Sequence, residues 1–124
     1  TIFTSSDGTT WTSRTSGTAY YLNGVAYGNS TFVAVGSGGQ ILTSSDGSSW
    51  DNRTSGTADW LSGVTYGNTT YVSVGWSGRI LTSPDGITWT EQISGTSKNL
   101  AEVIYENGSF LVVGYSGTRS KSVV

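Results

Sequence analysis

The stretch "SSDGTTW" occupies Ser5–Trp11, "SSDGSSW" occupies Ser44–Trp50, and "SPDGITW" occupies Ser83–Trp89. One phrase is thus written three times. Asp7, Asp46 and Asp85 stand 39 residues apart (46 − 7 and 85 − 46), and Trp11, Trp50 and Trp89 keep the same step. Tyr27, Tyr66 and Tyr105 recur with them, as do Gly36, Gly75 and Gly114. The chain divides into gap-free copies at 1–39, 40–78 and 79–117, with a tail at 118–124. A period of about 40 residues signals stacked or radial units, often blades of four strands.

One copy shows how such a unit is built. Leu22–Asn29 alternates and ends at a tight turn, and Thr31–Gly36 answers it as a hairpin partner. Gln40–Ser45 reads as a third strand, the Asp-Gly pair reverses the chain, and Ser49–Thr54 reads as a fourth. Ser55–Trp60 then crosses to the next unit. Helical periodicity is absent, so the expected class is all-β with four antiparallel strands per copy.

Composition narrows the function. The 124 residues suffice for one modest domain, and five Trp and seven Tyr argue against disorder. A net charge of −2 leaves no basic patch, so no nucleic-acid partner is expected. No apolar run of membrane-span length and no signal-peptide pattern is read in the sequence. Cysteine and histidine are both absent, which removes disulfides, thiolate metal sites and the commonest general base. No cofactor and no metal is expected.

The pattern Ser-x-Asp-Gly-x-x-Trp resembles the Asp-box, the repeat of sialidase-like propellers and of photosystem-assembly-factor-like bacterial propellers. The resemblance spans all three copies. It implies β-propeller blades, with Asp7, Gly8, Trp11, then Asp46, Gly47, Trp50, then Asp85, Gly86, Trp89 as structural residues of the third-to-fourth-strand turn. It also favours an extracellular or periplasmic location. Independently, such an Asp side chain accepts bonds from backbone N–H groups one or two residues on, and the Gly takes φ > 0. The Trp is expected to pack between blades with its N–H on a carbonyl.

In strand order the chain opens with a third strand (Thr1–Ser6) and a fourth (Thr10–Arg14), and it closes with a first (Leu100–Glu106) and a second (Ser109–Gly114). Three blades are too few to close a ring, since propellers have about 4–8. The expectation is a six-bladed homodimer, Thr1–Ser6 of one chain pairing with Ser109–Gly114 of the other. The tail carries Arg119-Ser120 where earlier copies carry Ile-Leu, so it reads as a poor third strand that leaves a vacancy for the partner. A fragment of a longer propeller is the competing expectation.

No catalytic residue is expected. The resemblance brings an arginine triad, a tyrosine nucleophile and an aspartate acid to mind, but Arg14 and Arg53 fall on outer strands and the tyrosines recur in every copy. Glu102 and Glu106 on the third copy's inner strand have no counterparts and are read as candidates to face a channel. Binding is another matter. The segments before the inner strands carry Tyr20-Tyr21, Asp59-Trp60 and Asn99-Leu100, and the turns between second and third strands carry Ser37, Trp76 and Tyr115. Tyr21, Trp60 and Leu100 read as packed starts of inner strands. Trp76, Tyr115, Tyr20 and Asp59 are the candidates for ligand or partner contact. The expected function is a non-enzymatic scaffold or recognition module that self-assembles, a description an engineered or reconstructed half-propeller also fits. The alternative is a lectin-like carbohydrate binder with one site per blade, whose partners are glycans.

Overall fold

Thirteen strands in a computed structural model make up an all-β protein; the structure describes residues 1–115 and the backbone of 119–121. The strands follow the repeat. β3 (Leu22–Gly28), β4 (Thr31–Gly36), β5 (Ile41–Ser44) and β6 (Asp51–Arg53) form one four-stranded antiparallel sheet in chain order. β7 (Leu61–Gly67), β8 (Thr70–Gly75), β9 (Ile80–Ser83) and β10 (Thr90–Gln92) form a second. β1 (Ile2–Thr4) and β2 (Thr12–Arg14) form a two-stranded sheet, and β11 (Leu100–Glu106), β12 (Ser109–Gly114) and β13 (Arg119–Lys121) a three-stranded one. Such sheets are compatible with propeller blades. No helix among the described residues is long and apolar enough to cross a membrane.

Each first hairpin closes with two residues at positive φ: Asn29 (48°) and Ser30 (60°), Asn68 (49°) and Thr69 (56°), Asn107 (50°) and Gly108 (75°). Two consecutive left-handed residues match the right-handed twist of the flanking strands, which is why Asn leads each turn. A β-branched Thr at the second place is the most strained of the three.

The meander puts these turns and the Asp-Gly turns at one end of the sheets, here called the box end. The crossovers and the turns between second and third strands lie at the other. There, Ser37–Gly39 and Trp76–Gly78 form short 3-10 turns.

The sheets meet along their first strands: β7 packs against β3 on one side and β11 on the other. One core cluster joins Val33, Val35 and Ile41 of the first sheet to Leu61, Val64 and Tyr71 of the second. Another joins Val72, Val74 and Ile80 of the second to Leu100, Val103, Phe110 and Val112 of the third. The approach is closest where side chains are missing. A Cβ on Gly28 would stand 2.1 Å from the Tyr66 ring, and one on Gly67 2.2 Å from the Tyr105 ring. Tyr66 and Tyr105 thus pack on the bare backbone of the sheet before their own, and the Tyr71 hydroxyl lies within hydrogen-bond reach of the carbonyl oxygens of Gly28 and Thr31.

The tail differs from its expectation. β13 pairs with β12 in the third-strand register, Val113 opposite Arg119, Val112 opposite Ser120 and Leu111 opposite Lys121. Backbone pairing is indifferent to the polar side chains, so within a single chain the slot is filled over three residues rather than vacant.

Two stability effects follow. Gly28→Ala and Gly67→Ala should each cost about 2–3 kcal/mol in urea unfolding, because the added methyl would overlap the ring packed there. Thr69→Gly should stabilise by about 1 kcal/mol by relieving the positive φ.

Candidate functional site

The repeated phrase builds the box end. Asp7 Oδ1 accepts from the N–H of Thr9 at 2.8 Å and of Thr10 at 2.9 Å, and Ser5 Oγ accepts from the Gly8 N–H at 2.8 Å. Asp46 does the same for Ser48 and Ser49, and Asp85 for Ile87 and Thr88. The bonds therefore reach two and three residues on, one further than expected. Gly8, Gly47 and Gly86 take φ of 81°, 80° and 81°. Trp50 Nε1 donates to the Gly47 carbonyl at 2.9 Å and Trp89 Nε1 to that of Gly86 at 2.7 Å.

These turns also touch the neighbouring sheet. Gly86 sits against Val33 and Thr43 of the first sheet, and Gly47 against Thr4 of β1. In each full unit the Trp completes an aromatic row with the repeated ring pair: Tyr27–Phe32–Trp50 and Tyr66–Tyr71–Trp89, with centroid steps of 4.6 Å and then 6.3 or 6.4 Å. Trp11, whose two-stranded sheet carries no such ring pair, is exposed.

All three aspartates are committed to holding their own turns. Their carboxyls are held below the usual range, first by the N–H groups of Thr10, Ser49 and Thr88 and next by those of Thr9, Ser48 and Ile87. Each carboxylate spends its Oδ1 on the turn that carries it. Among the described residues no cluster of three or more metal-ligating side chains occurs. The arginines are engaged too: Arg14 Nε and Arg53 Nε donate at 2.9 Å to Thr4 and Thr43 hydroxyls, tying fourth strand to third. Glu102 stands at the matching place of Gly63 and its Oε1 lies against Gly63 of β7 while accepting from the Val103 N–H at 3.2 Å; Ile104 and Glu106 stand at the matching places of Thr65 and Gly67.

The opposite end gathers the aromatics that do not repeat. In every copy the residue before the first strand accepts a backbone bond from the residue after the second: Ser37 N–H to Tyr21 O at 2.9 Å, Trp76 to Trp60 at 2.8 Å, Tyr115 to Asn99 at 2.9 Å. The residues matching Tyr20-Tyr21 and Asp59-Trp60 are thus Lys98-Asn99, one place earlier than Asn99-Leu100 as aligned above. Leu100 is buried in β11, as expected. Tyr21 and Trp60 are not core starts: Leu61, which follows Trp60, is fully buried, and Leu22, which follows Tyr21, is half-buried. Tyr21 is 70% exposed and Trp60 half-buried.

The indoles of Trp60 and Trp76 stack at 5.0 Å and 10°, and Tyr21 leans on Trp60 at 6.0 Å. Trp76 and Trp60 are therefore brought together, while Tyr20 lies over Gly38 of the first unit and Tyr115 is exposed on the third. Asp59 is taken by Arg79 at 2.8 Å, and Arg79 also holds Glu91 at 2.5 Å. In the first unit Gln40, at the place of Arg79, makes neutral links instead, to Asn52 at the place of Glu91 and to the Thr18 hydroxyl, which lies two residues before the place of Asp59. These partners raise the Arg79 pKa, Asp59 first and Glu91 next.

The depressed aspartates set a pH dependence. Their folded pKa lies below the ordinary 3.8, so the stability they supply is full above that value and drains as pH falls through and below it. Thermal melts between pH 6 and about 2 should show the midpoint falling, and the triple variant D7N/D46N/D85N should flatten that slope.

Compared with known proteins, the chain matches no family model and no curated protein, so its functional reading rests on this geometry.

Proposed function

We propose that this chain is a non-enzymatic β-propeller scaffold that associates with a second copy of itself to complete a six-bladed ring. The observation that carries the reading is a pair of uncovered faces at repeat-equivalent positions. Val25 is 63% exposed, whereas Val64 and Val103 at the matching places are 7% and 2% exposed beneath the preceding sheet. Phe3 is 56% exposed against 2% for Leu42. Val33, Val35, Val72 and Val74 are fully buried by the next sheet, but Leu111 and Val113 remain half-buried, and Ile104 is exposed.

Between β1 and β3 lies a groove of about 690 Å³ lined by Ile2, Phe3, Leu22, Val25, Phe32 and Trp50. First and second strands of a sheet completed by β1 and β2 would occupy it, and a partner's β11 and β12 are such strands. By the register of β4 with β5, a partner's Ile2, Phe3 and Thr4 would face Val113, Val112 and Leu111, the places β13 takes in one chain. Arg119 and Ser120 there replace residue pairs that are buried in both full sheets, so exchange for Ile2-Phe3 gains apolar burial. Two such head-to-tail joints close a two-fold ring.

One residue resists a simple copy of the internal joint. Glu106 stands where Gly28 and Gly67 accept a Tyr ring, so a partner's Tyr27 meets a side chain there. Sedimentation equilibrium tests the reading. The expected species has twice the 13.0 kDa chain mass. Val25→Arg should weaken association at least tenfold, and Glu106→Gly should tighten it severalfold. A 13.0 kDa species at every concentration, unchanged in the Glu106→Gly variant, contradicts it.

A further inference from the structure

The aromatic residues divide into two sets with different reasons to exist. The repeating ones (Tyr27, Phe32, Trp50 and their counterparts) form the packed rows at the box end. Tyr21, Trp60 and Trp76 stand at the other end and do not repeat. The fold does not require them. The backbone clamp that joins Trp76 to Trp60 is made equally well by Ser37 to Tyr21 and by Tyr115 to Asn99, at 2.8 to 2.9 Å throughout. A serine at Ser37 and an amide at Asn99 serve the frame, so two indoles at the second unit are surplus to it.

They are also arranged as a strip. Trp60 is flanked by Tyr21 and by Trp76, and both flanking rings are open to solvent, Tyr21 by 70% and Trp76 by 39%. Beside it, Asn99 Oδ1 accepts from the Ser77 N–H at 3.0 Å, which fixes the amide against the turn that carries Trp76. We infer that this strip is a binding platform for a neutral oligosaccharide of gluco configuration.

The chemistry selects that class. A pyranose with equatorial hydroxyls presents an apolar C–H face suited to a flat indole, and its hydroxyls need neutral donors and acceptors at the edge. The Asn99 amide and the Ser77 hydroxyl are such groups. Arg79 holds both Asp59 and Glu91, so these carboxylates are already matched and offer a cationic ligand no unopposed partner. A quaternary ammonium needs rings set around it as a cage, whereas these indoles lie in contact at 10°. The platform is formed within one chain and does not depend on ring closure.

Titration with cellohexaose, laminarihexaose and chitohexaose, followed by tryptophan fluorescence and by calorimetry, is the test. The wild-type chain should bind at least one of them. Trp76→Ser, which installs the residue that Ser37 supplies at the matching place, should weaken binding at least tenfold with an unchanged circular dichroism spectrum. Ile93→Ala, at a residue 95% exposed and outside the strip, should bind as wild type. Should Trp76→Ser disturb the spectrum, Trp76→Phe, which keeps a ring in place, should retain part of the affinity. No binding of any of the three sugars, or equal binding by wild type and Trp76→Ser, overturns the inference.

Discussion

The arrangement depends on one close contact, a tyrosine ring packed against the glycine backbone of the sheet before it. Tyr66 rests on Gly28 and Tyr105 on Gly67, at distances no Cβ would permit. This sets how near the first strands come, and the two core clusters fill the space behind that approach. The Asp-Gly turns then lean on the same neighbour from the box end, Gly86 against Val33 and Thr43. A sheet built this way is complete only when flanked on both faces. The first sheet lacks full cover on its Val25 side and the third on its Leu111 side.

Most of the frame was legible because its signals are local. An Asn-led two-residue turn, an Asp-Gly turn and a strict step between like residues place β3, β4, β5 and their counterparts within a residue or two. The fourth strand came out shorter than read, Asp51–Arg53 rather than Ser49–Thr54, because the Ser49 N–H is claimed by Asp46. β13 was not legible, since its pairing uses backbone groups and its side chains follow no apolar pattern. The crowding at Gly28 and Gly67 was hidden for a related reason: an absent side chain is informative only when its neighbour is known.

At the candidate site the sequence singled out the end of the sheets where Trp60 and Trp76 stack, and it named Trp76 but not Trp60 as a contact residue. Trp76 and Tyr115 are exposed as read, and Asp59 is tied to Arg79, a bond between crossover and third strand that no spacing rule reveals. Tyr21 and Trp60 were assigned to packing as apolar starts of inner strands, and the third copy was aligned one place late. With Lys98-Asn99 at the matching places, three copies carry three different pairs on one backbone clamp. That contrast between a constant bond and changing side chains separates frame from surface more sharply than exposure does.

The central claim is that the chain's two uncovered faces are halves of one joint between copies. An isotope-filtered NOE experiment on a mixture of labelled and unlabelled chains tests it most directly. The account predicts contacts between chains joining Ile2, Phe3 and Thr4 to Leu111, Val112 and Val113. Finding Leu111–Val113 paired with residues 119–121 of their own chain, and no contacts between chains, would contradict it.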